Sequence, residues 1–255
     1  PPPNGAALHA ELPSHARQLT VQPTTAPAAI IALLLAPPSH ELHSSQLASV
    51  TRHLGPTTAH ASAALVDSMA ALPPELRLPL VDLAVPQVAA HPPAYRMALI
   101  ALLDELVVAD GSVSMFEYCL SRLVWSYLQD AAAPYRRSKV GNGSLGQVRP
   151  AVTTLLATLA VAGASDQTAA RHAYETALHR LYPHAGAPEP RKETWQESLD
   201  RGWAGLDALA PQAKKALVEA MAAAVIADGT VTVSEAEMLR AACGLIHVPL
   251  PALLA

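Results

Sequence analysis

Residues 107–114 read Val-Val-Ala-Asp-Gly-Ser-Val-Ser, and residues 225–232 read Val-Ile-Ala-Asp-Gly-Thr-Val-Thr. A shift of 118 residues superimposes the two octets and also aligns Glu117 with Glu235. Each octet lies between two segments whose apolar residues have helical spacing. The sequence therefore predicts a duplicated helix-turn-helix within an all-α, multi-helix fold that short helices precede.

The fixed positions of the octet have local structural roles. Glycine adopts the left-handed conformation that ends a helix without the penalty that a Cβ would bring. A Ser or Thr N-cap with Glu three residues later forms a capping box, in which two otherwise unbonded backbone amides are satisfied. These roles are assigned to Gly111, Ser114 and Glu117 in the first copy, and to Gly229, Thr232 and Glu235 in the second.

The acidic residues of the motif also permit a metal interpretation. Asp110, Glu117, Asp228 and Glu235 would supply four oxygen ligands to a divalent cation if the two copies packed about a pseudo-twofold axis. Calcium loops, however, place oxygen ligands at every second position over twelve residues, and here valine or methionine fills intervening positions. Capping explains every fixed position of the motif, whereas metal binding explains only the acids.

Helices are also expected on either side of the first octet. Residues 95–107 are apolar nearly all round, which is typical of a central, buried helix. Residues 116–128 have amphipathic spacing, and that helix should end before Pro134. Further helices are expected near residues 151–162, 166–181, 195–209, 212–227 and 234–246.

Composition shifts divide the chain into three parts. Residues 1–27 hold six prolines among polar residues, so we expect a flexible linker. Residues 28–91 should form short helices, since prolines at positions such as 79 and 86 are tolerated only in a first turn. Residues 92–255 form the predicted main domain, with an insertion at about 134–192 that begins with a flexible polar loop.

Charge and hydropathy exclude some classes of partner. The formal net charge of −4 argues against nucleic acid, which usually meets a concentrated basic face. The longest apolar run is broken by proline, and no transmembrane helix is expected. The proline-rich start resembles the middle of a longer polypeptide and lacks the features of a signal peptide. Cys119 and Cys243 have no CxxC spacing and are expected to be buried thiols.

Three other patterns resemble chemical motifs but lack their context. His40 and His43 are three residues apart rather than the four of HExxH, and His172 and His179 are seven apart. Solvated histidines are the simpler interpretation. Residues 141–146 match GxGxxG literally, without the strand that a phosphate cradle needs before it. The sequence therefore predicts no catalytic residue and no bound cofactor.

The doubled pattern Ala-Asp-Gly-x-Val-x-x-x-Glu, at residues 109–117 and 227–235, resembles that of TerB-like domains over roughly residues 92–255. Residues 110–118 and 237–251 resemble more specifically the C-terminal region of large bacterial membrane zinc metallopeptidases of the HtpX and CAAX-prenyl-protease type. In that family an HExxH domain and membrane helices precede such a region. This chain has neither, so none of the family's catalytic residues carries over.

The resemblance implies a non-catalytic regulatory or interaction domain that controls substrate access, assembly or the response to envelope stress. Its partners would be the peptidase and membrane portion of the same polypeptide, protein substrates, or a second copy of itself. Zinc is expected only in the parent's peptidase domain, and the alternative function is binding of a divalent cation. The domain would lie beside the membrane, facing the cytoplasm. Arg136, Arg137 and Lys139 would there be near anionic lipid headgroups, but three charges make a poor anchor and a solvated loop is the favoured interpretation.

Overall fold

The computed structural model describes residues 11–133, 140–183 and 194–251. Apart from one isolated bridge, every regular element in these ranges is an α-helix, which confirms the predicted all-α class. The twelve described helices are α1 (Ser14–Thr20), α2 (Thr25–Ala32), α3 (Leu42–Leu54), α4 (Pro56–Ala70), α5 (Pro74–Ala89), α6 (Pro93–Val107), α7 (Met115–Ala132), α8 (Arg149–Gly163), α9 (Gln167–Leu181), α10 (Trp195–Asp207), α11 (Pro211–Val225) and α12 (Val233–Leu245).

Two compact units account for these helices. Residues 11–133 form the N-terminal unit and residues 140–251 the C-terminal unit, so each unit contains one copy of the Asp-Gly turn. The boundary expected at residues 91 and 92 falls inside the N-terminal unit, because α6 packs on α3 and α7 packs on α5. Helices on both sides of that predicted boundary thus share one core.

The start of the N-terminal unit is folded where a flexible linker was expected. Leu12 and Ala16 are buried in a cluster with residues of α2, α4 and α5, among them Met69 and Leu80. Arg17 also donates a hydrogen bond from Nη2 to the carbonyl oxygen of Leu12, at 2.9 Å. The linker prediction is therefore wrong for residues 11–27, because a few apolar side chains suffice to dock α1, and residues 1–10 lie outside the described ranges.

Helix α5 continues through two prolines that were expected to divide it. Pro79 and Pro86 lie inside this single helix, although an interior proline costs about 3 kcal/mol. The helix packs against α1, α2 and α7, and it buries six leucine and valine side chains among its eight buried residues. Because each such side chain contributes about 1.5–3 kcal/mol on burial, tertiary packing outweighs the local cost of the prolines.

Helix α6 is buried on one face only. Leu99, Leu102 and Leu103 are almost fully buried, whereas Met97 is 59% exposed and the following Val108 is 57% exposed. The expectation of a central helix buried all round is therefore wrong, since α6 packs on α3 and α7 and its opposite face is open.

Helix α8 lies at the centre of the C-terminal unit, although it was expected within an insertion. It packs against α9, α10, α11 and α12. Gly202 of α10 lets that helix approach closely, since a Cβ at this position would lie 2.5 Å from the Cβ of Ala151. The helix bounds predicted for this unit are confirmed to within about two residues.

The Gly-rich segment before α8 is held in place rather than free. Gly143 donates its amide to the carbonyl oxygen of Ala208 at 2.9 Å, and Ala210 donates to the carbonyl oxygen of Gly143 at 2.9 Å. A Cβ on Gly141 would lie 2.3 Å from the Ala208 oxygen, so the close backbone approach requires glycine. The flexible loop predicted for residues 141–146 is wrong for this reason.

The predictions about membrane-spanning helices and about the cysteines are confirmed for the described residues. No helix among the described residues has both the length and the apolar character needed to cross a bilayer. Cys119 and Cys243 are buried free thiols, as predicted. Burial raises the pKa of Cys243 to about 12, which keeps it protonated and unreactive at neutral pH.

Candidate functional site

The first Asp-Gly turn connects α6 to α7. Gly111 has a φ of +81° and donates its amide to the carbonyl oxygen of Val108 at 3.0 Å. Asp110 Oδ1 accepts hydrogen bonds from the amide and the hydroxyl of Ser112, at 2.9 and 3.0 Å. These bonds, from the backbone first, lower the pKa of Asp110. Asp110 thus forms an Asx-turn, in which its side chain takes the place of a backbone carbonyl and stabilises the turn.

A capping box begins α7, as predicted. Ser114 Oγ accepts from the amide of Glu117 at 3.3 Å, and Glu117 Oε2 accepts from the amide of Ser114 at 2.8 Å. Two amides without partners in the helix are thereby satisfied, and the glutamate also lies at the positive end of the helix. The carboxylate of Glu117 is therefore already engaged.

The second turn, between α11 and α12, has the same local bonding. Gly229 has a φ of +81°, and Asp228 Oδ1 accepts from the amide of Thr230 at 2.9 Å. Thr232 Oγ1 accepts from the amide of Glu235 at 3.3 Å, and Glu235 Oε2 accepts from the amide and hydroxyl of Thr232, both at 2.9 Å. The capping assignments are thus confirmed in both copies, while the larger repeat of packed helix pairs stays a prediction.

The two copies differ in the burial of the glutamate. Glu117 is half-buried, whereas Glu235 is only 4% exposed and lies against Gly163 at the end of α8. Burial raises the pKa of Glu235, and the charge of Asp228 acts in the same direction, against the hydrogen bonds from Thr232. Asp228 and Glu235 therefore interact electrostatically within the C-terminal unit.

The metal interpretation gains little from this geometry. Asp110 and Glu117 belong to the N-terminal unit, and Asp228 and Glu235 belong to the C-terminal unit. Each of the four carboxylates accepts at least one hydrogen bond from its own turn. In the described part of the chain, no group of three or more His, Cys, Asp or Glu residues is arranged to hold a metal ion. The shared cation stays a prediction.

A charged cluster in the N-terminal unit was missed by sequence reasoning. Glu105 of α6 accepts from Arg52 Nη2 at 2.5 and 2.6 Å, from Ser49 Oγ at 2.6 Å and from His53 Nε2 at 3.0 Å. These bonds, that of Arg52 first, lower the pKa of Glu105 to about 2. Ser49 donates its hydroxyl hydrogen bond to Glu105 rather than to His53, so the cluster joins α3 to α6 and lacks the serine–histidine bond of a nucleophilic triad.

A second missed cluster lies at the end of the C-terminal unit. Lys214 Nζ donates to Asp207 Oδ1 at 2.8 Å and to the carbonyl oxygen of Ile246 at 2.6 Å, and His247 Nδ1 lies 2.9 Å from the same carboxylate oxygen. Burial acts to raise the pKa of Asp207, but the bonds from His247 and Lys214 outweigh it and lower that pKa. The local signal in the sequence was Lys214 near the start of a predicted helix. A charged residue near a helix end is too common to identify such a cluster.

Three of the four paired histidines, His40, His43 and His179, have backbone partners. The ring of His40 accepts from the amide of Leu42 at 3.2 Å, and His43 Nδ1 lies 2.7 Å from the carbonyl oxygen of Ala36. His179 Nδ1 lies 2.8 Å from the carbonyl oxygen of Glu175. These contacts are typical of histidines near helix ends. Arg136, Arg137 and Lys139, proposed to meet lipid, lie outside the described residues.

Comparison with protein families, with curated proteins and with solved structures finds no match for this chain.

Proposed function

We propose that this chain is a non-catalytic interaction domain of a membrane-bound zinc metalloprotease of the HtpX or CAAX-prenyl-protease type. It would lie beside the membrane on the cytoplasmic side and control the access of protein substrates to the peptidase domain of the same polypeptide. The choice of this family rests on the resemblance of the doubled Ala-Asp-Gly turn to TerB-like domains. The proposal concerns the intact protein, since the chain itself carries no HExxH motif.

The bonding of the motif's acidic residues carries the non-catalytic part of the proposal. A general acid or base must present its carboxyl group to a reacting molecule. Here Asp110 and Asp228 each bond a turn amide, and Glu117 and Glu235 each bond an N-cap amide. The residues that define the motif therefore build helix junctions, which suits a scaffold that presents surfaces to other proteins.

Removal of residues 11–251 from the intact protein tests this proposal. We expect cleavage of protein substrates to change at least severalfold, while hydrolysis of a short peptide at the zinc site stays within twofold, because a peptide does not need controlled access. Equal cleavage of protein substrates with and without the domain would contradict the regulatory role. A complete reading frame without an HExxH motif would contradict the protease parent.

One observation favours the second candidate function, binding of a divalent cation. Asp228 and Glu235 are near enough for the charge of one to raise the pKa of the other, and a cation would relieve that repulsion. Isothermal titration with Ca²⁺, Mg²⁺ and Zn²⁺ tests it, with Asp228→Asn as the control. Heat that saturates and disappears in the variant would support the site, and no heat at millimolar metal would reject it.

A further inference from the structure

One face of α6 is apolar and open. Ala94, Met97, Ala101, Asp104 and Val108 follow one another at intervals of three or four residues, so they line a single stripe along the helix. All five are exposed, with Met97 at 59% and Val108 at 57%. Asp104 is the one charged member and lies 3.5 Å from Arg122 of α7. We name these five residues the α6 face.

Helix α11 provides an internal comparison for this face. It spans Pro211–Val225, which the shift of 118 residues superimposes on Pro93–Val107, and Leu99 and its counterpart Leu217 are both fully buried. The positions that correspond to the α6 face are Gln212, Lys215, Glu219, Ala222 and Ile226.

At three of the five positions α11 has a polar residue where α6 has an apolar one, whereas Ile226 matches Val108 and is 52% exposed. Lys215 and Glu219 form an i, i+4 ion pair at 3.9 Å, with both side chains largely exposed. They replace Met97 and Ala101, so a helix before the Asp-Gly turn packs inward without apolar residues at these two positions. Met97 and Ala101 are therefore not required by the packing of a helix at this place in the motif.

A helix that is apolar nearly all round is normally buried, because the apolar surface gains free energy when it leaves water. In α6 the inward side chains are covered by α3 and α7, and the outward ones are exposed. Met97 and Val108 would both gain free energy if a partner covered them. The α6 face is thus a surface suited to docking.

The size of the face restricts its occupant. A helix of 15 residues is about 22 Å long, and a stripe one helix wide, about 10 Å, offers roughly 200 Å². A stable complex needs about 800 Å² from each partner, so the face alone is too small for a stable dimer and suits weak, transient binding. It matches the apolar stripe of one helix, and the small side chains of Ala94 and Ala101 allow close approach.

We propose that the α6 face docks one amphipathic helix of a partner protein, with apolar side chains spaced i, i+3 or i+4, and i+7. The helix carries a basic residue near the end of α6, where the exposed carboxylate of Asp110 follows Val108, whereas Asp104 is paired with Arg122. This inference rests on the proposed interaction function and names its surface and its class of partner.

The test is a selection of displayed helical peptides on the full 255-residue chain, followed by fluorescence anisotropy with the enriched peptides. The test variant Met97→Lys/Ala101→Glu gives the α6 face the residues of α11. Its matched control, Lys215→Glu/Glu219→Lys, exchanges the charges at the corresponding positions of α11 and leaves that helix polar there. Both variants change exposed helix positions, and circular dichroism verifies that each is folded.

We expect enriched peptides with the stated apolar spacing and a terminal Lys or Arg. Their Kd should rise at least tenfold for Met97→Lys/Ala101→Glu and stay within threefold for the α11 variant. No enrichment, or equal binding by wild type and the α6 variant, would overturn the proposal. So would concentration-dependent dimerisation lost in the α6 variant, or sedimentation with phosphatidylglycerol vesicles that depends on Met97.

This selection uses the chain by itself, so its failure is distinguishable from failure of the proposed function. If no helix docks on the α6 face while removal of the domain still alters proteolysis, the assignment of the docking surface is refuted and the regulatory role is supported. If helices dock but removal of the domain does not change proteolysis, regulation of the parent protease is refuted and the docking surface is supported.

Discussion

Substitution of Gly163 by alanine probes the contact between α8 and the second capping box. A Cβ at Gly163 would lie 2.0 Å from both Cδ and Oε1 of Glu235, a distance that no real contact reaches. The carboxylate must then move away from the amide and hydroxyl of Thr232, to which it is bonded at 2.9 Å. The substitution therefore combines overpacking with loss of a helix cap.

The expected magnitude is set by whichever of these two effects remains after the side chain of Glu235 adjusts, because moving the carboxylate relieves the clash. Overpacking costs about 1–3 kcal/mol, and loss of hydrogen bonds to a buried carboxylate costs about 1.5–3 kcal/mol. Alanine in place of a helical glycine returns up to about 1 kcal/mol. We expect Gly163→Ala to lower the free energy of unfolding of the C-terminal unit by about 2 kcal/mol.

Urea denaturation followed by tryptophan fluorescence measures this change. Trp195 and Trp203 of α10 report on the C-terminal unit once Trp125, which is 43% exposed in the N-terminal unit, is replaced by phenylalanine. Gly146→Ala is the matched control, because a Cβ there would meet nothing closer than Ser144 Oγ at 4.0 Å.

The control should change stability by less than about 1 kcal/mol. In the double variant Gly163→Ala/Glu235→Ala the clash is absent, so the combined loss should be smaller than the sum of the two single losses. If Gly163→Ala is as stable as Gly146→Ala, the close contact between α8 and the capping box is refuted.

Three further predictions concern the turns and the buried charges. Gly229→Ala should destabilise the C-terminal unit by about 1 kcal/mol through its positive φ alone, since a Cβ there meets no atom within 4 Å; Gly229→Asn should recover part of this in the same urea assay. The lowered pKa of Glu105, about 2 against an ordinary 4.5, means that its stabilisation is present above pH 4.5 and is lost as pH falls towards 2. Because Glu105 and Arg52 are well exposed, this stabilisation amounts to about 0.5–1 kcal/mol. Glu105→Gln should weaken the pH dependence of stability between pH 4.5 and 2, as followed by circular dichroism. The same pH dependence in wild type and variant would refute the pairing. The raised pKa of Glu235 has the opposite effect on stability, which should decline as pH rises from 4.5 through the pKa of the folded state. Glu235→Gln should remove this decline in urea titrations. A decline of equal size in the variant would argue against the burial of Glu235.

The features that sequence analysis predicted well depend on neighbouring residues. A glycine in the left-handed region and a Ser or Thr with Glu three residues later fix the start of α7 and α12 through bonds inside one turn. These bonds form whatever packs around them, so the pattern alone locates the helix junctions. The helix ends near Pro134 and the buried thiols follow from equally local rules.

The features that were missed depend on residues far apart in the chain. Pro79 and Pro86 continue α5 because side chains from α1, α2 and α7 cover it, which no local pattern reveals. Ser49 and Glu105 bond across 56 positions of sequence. Gly141 looks like a flexible-loop residue until the carbonyl oxygen of Ala208 is placed against it.

The open side of α6 shows a related limit. Its apolar residues predicted a helix buried nearly all round, but the sequence could not say which of its sides the rest of the chain would leave exposed. Only the packing of α3 and α7 on one side leaves Met97 and Val108 open on the other.

The central claim about the Asp-Gly turns is that their acidic residues hold backbone amides, and binding of a divalent cation is the function that competes with it. Amide NMR spectra of the full chain test it most directly, recorded first with EDTA and then during additions of Ca²⁺, Mg²⁺ and Zn²⁺ to millimolar excess. We predict that the signals of Ser112, Ser114, Thr230 and Thr232 keep their positions throughout, while Glu117→Gln and Glu235→Gln shift the signals of Ser114 and Thr232. A saturable shift of these four amides with any of the metals would contradict the account.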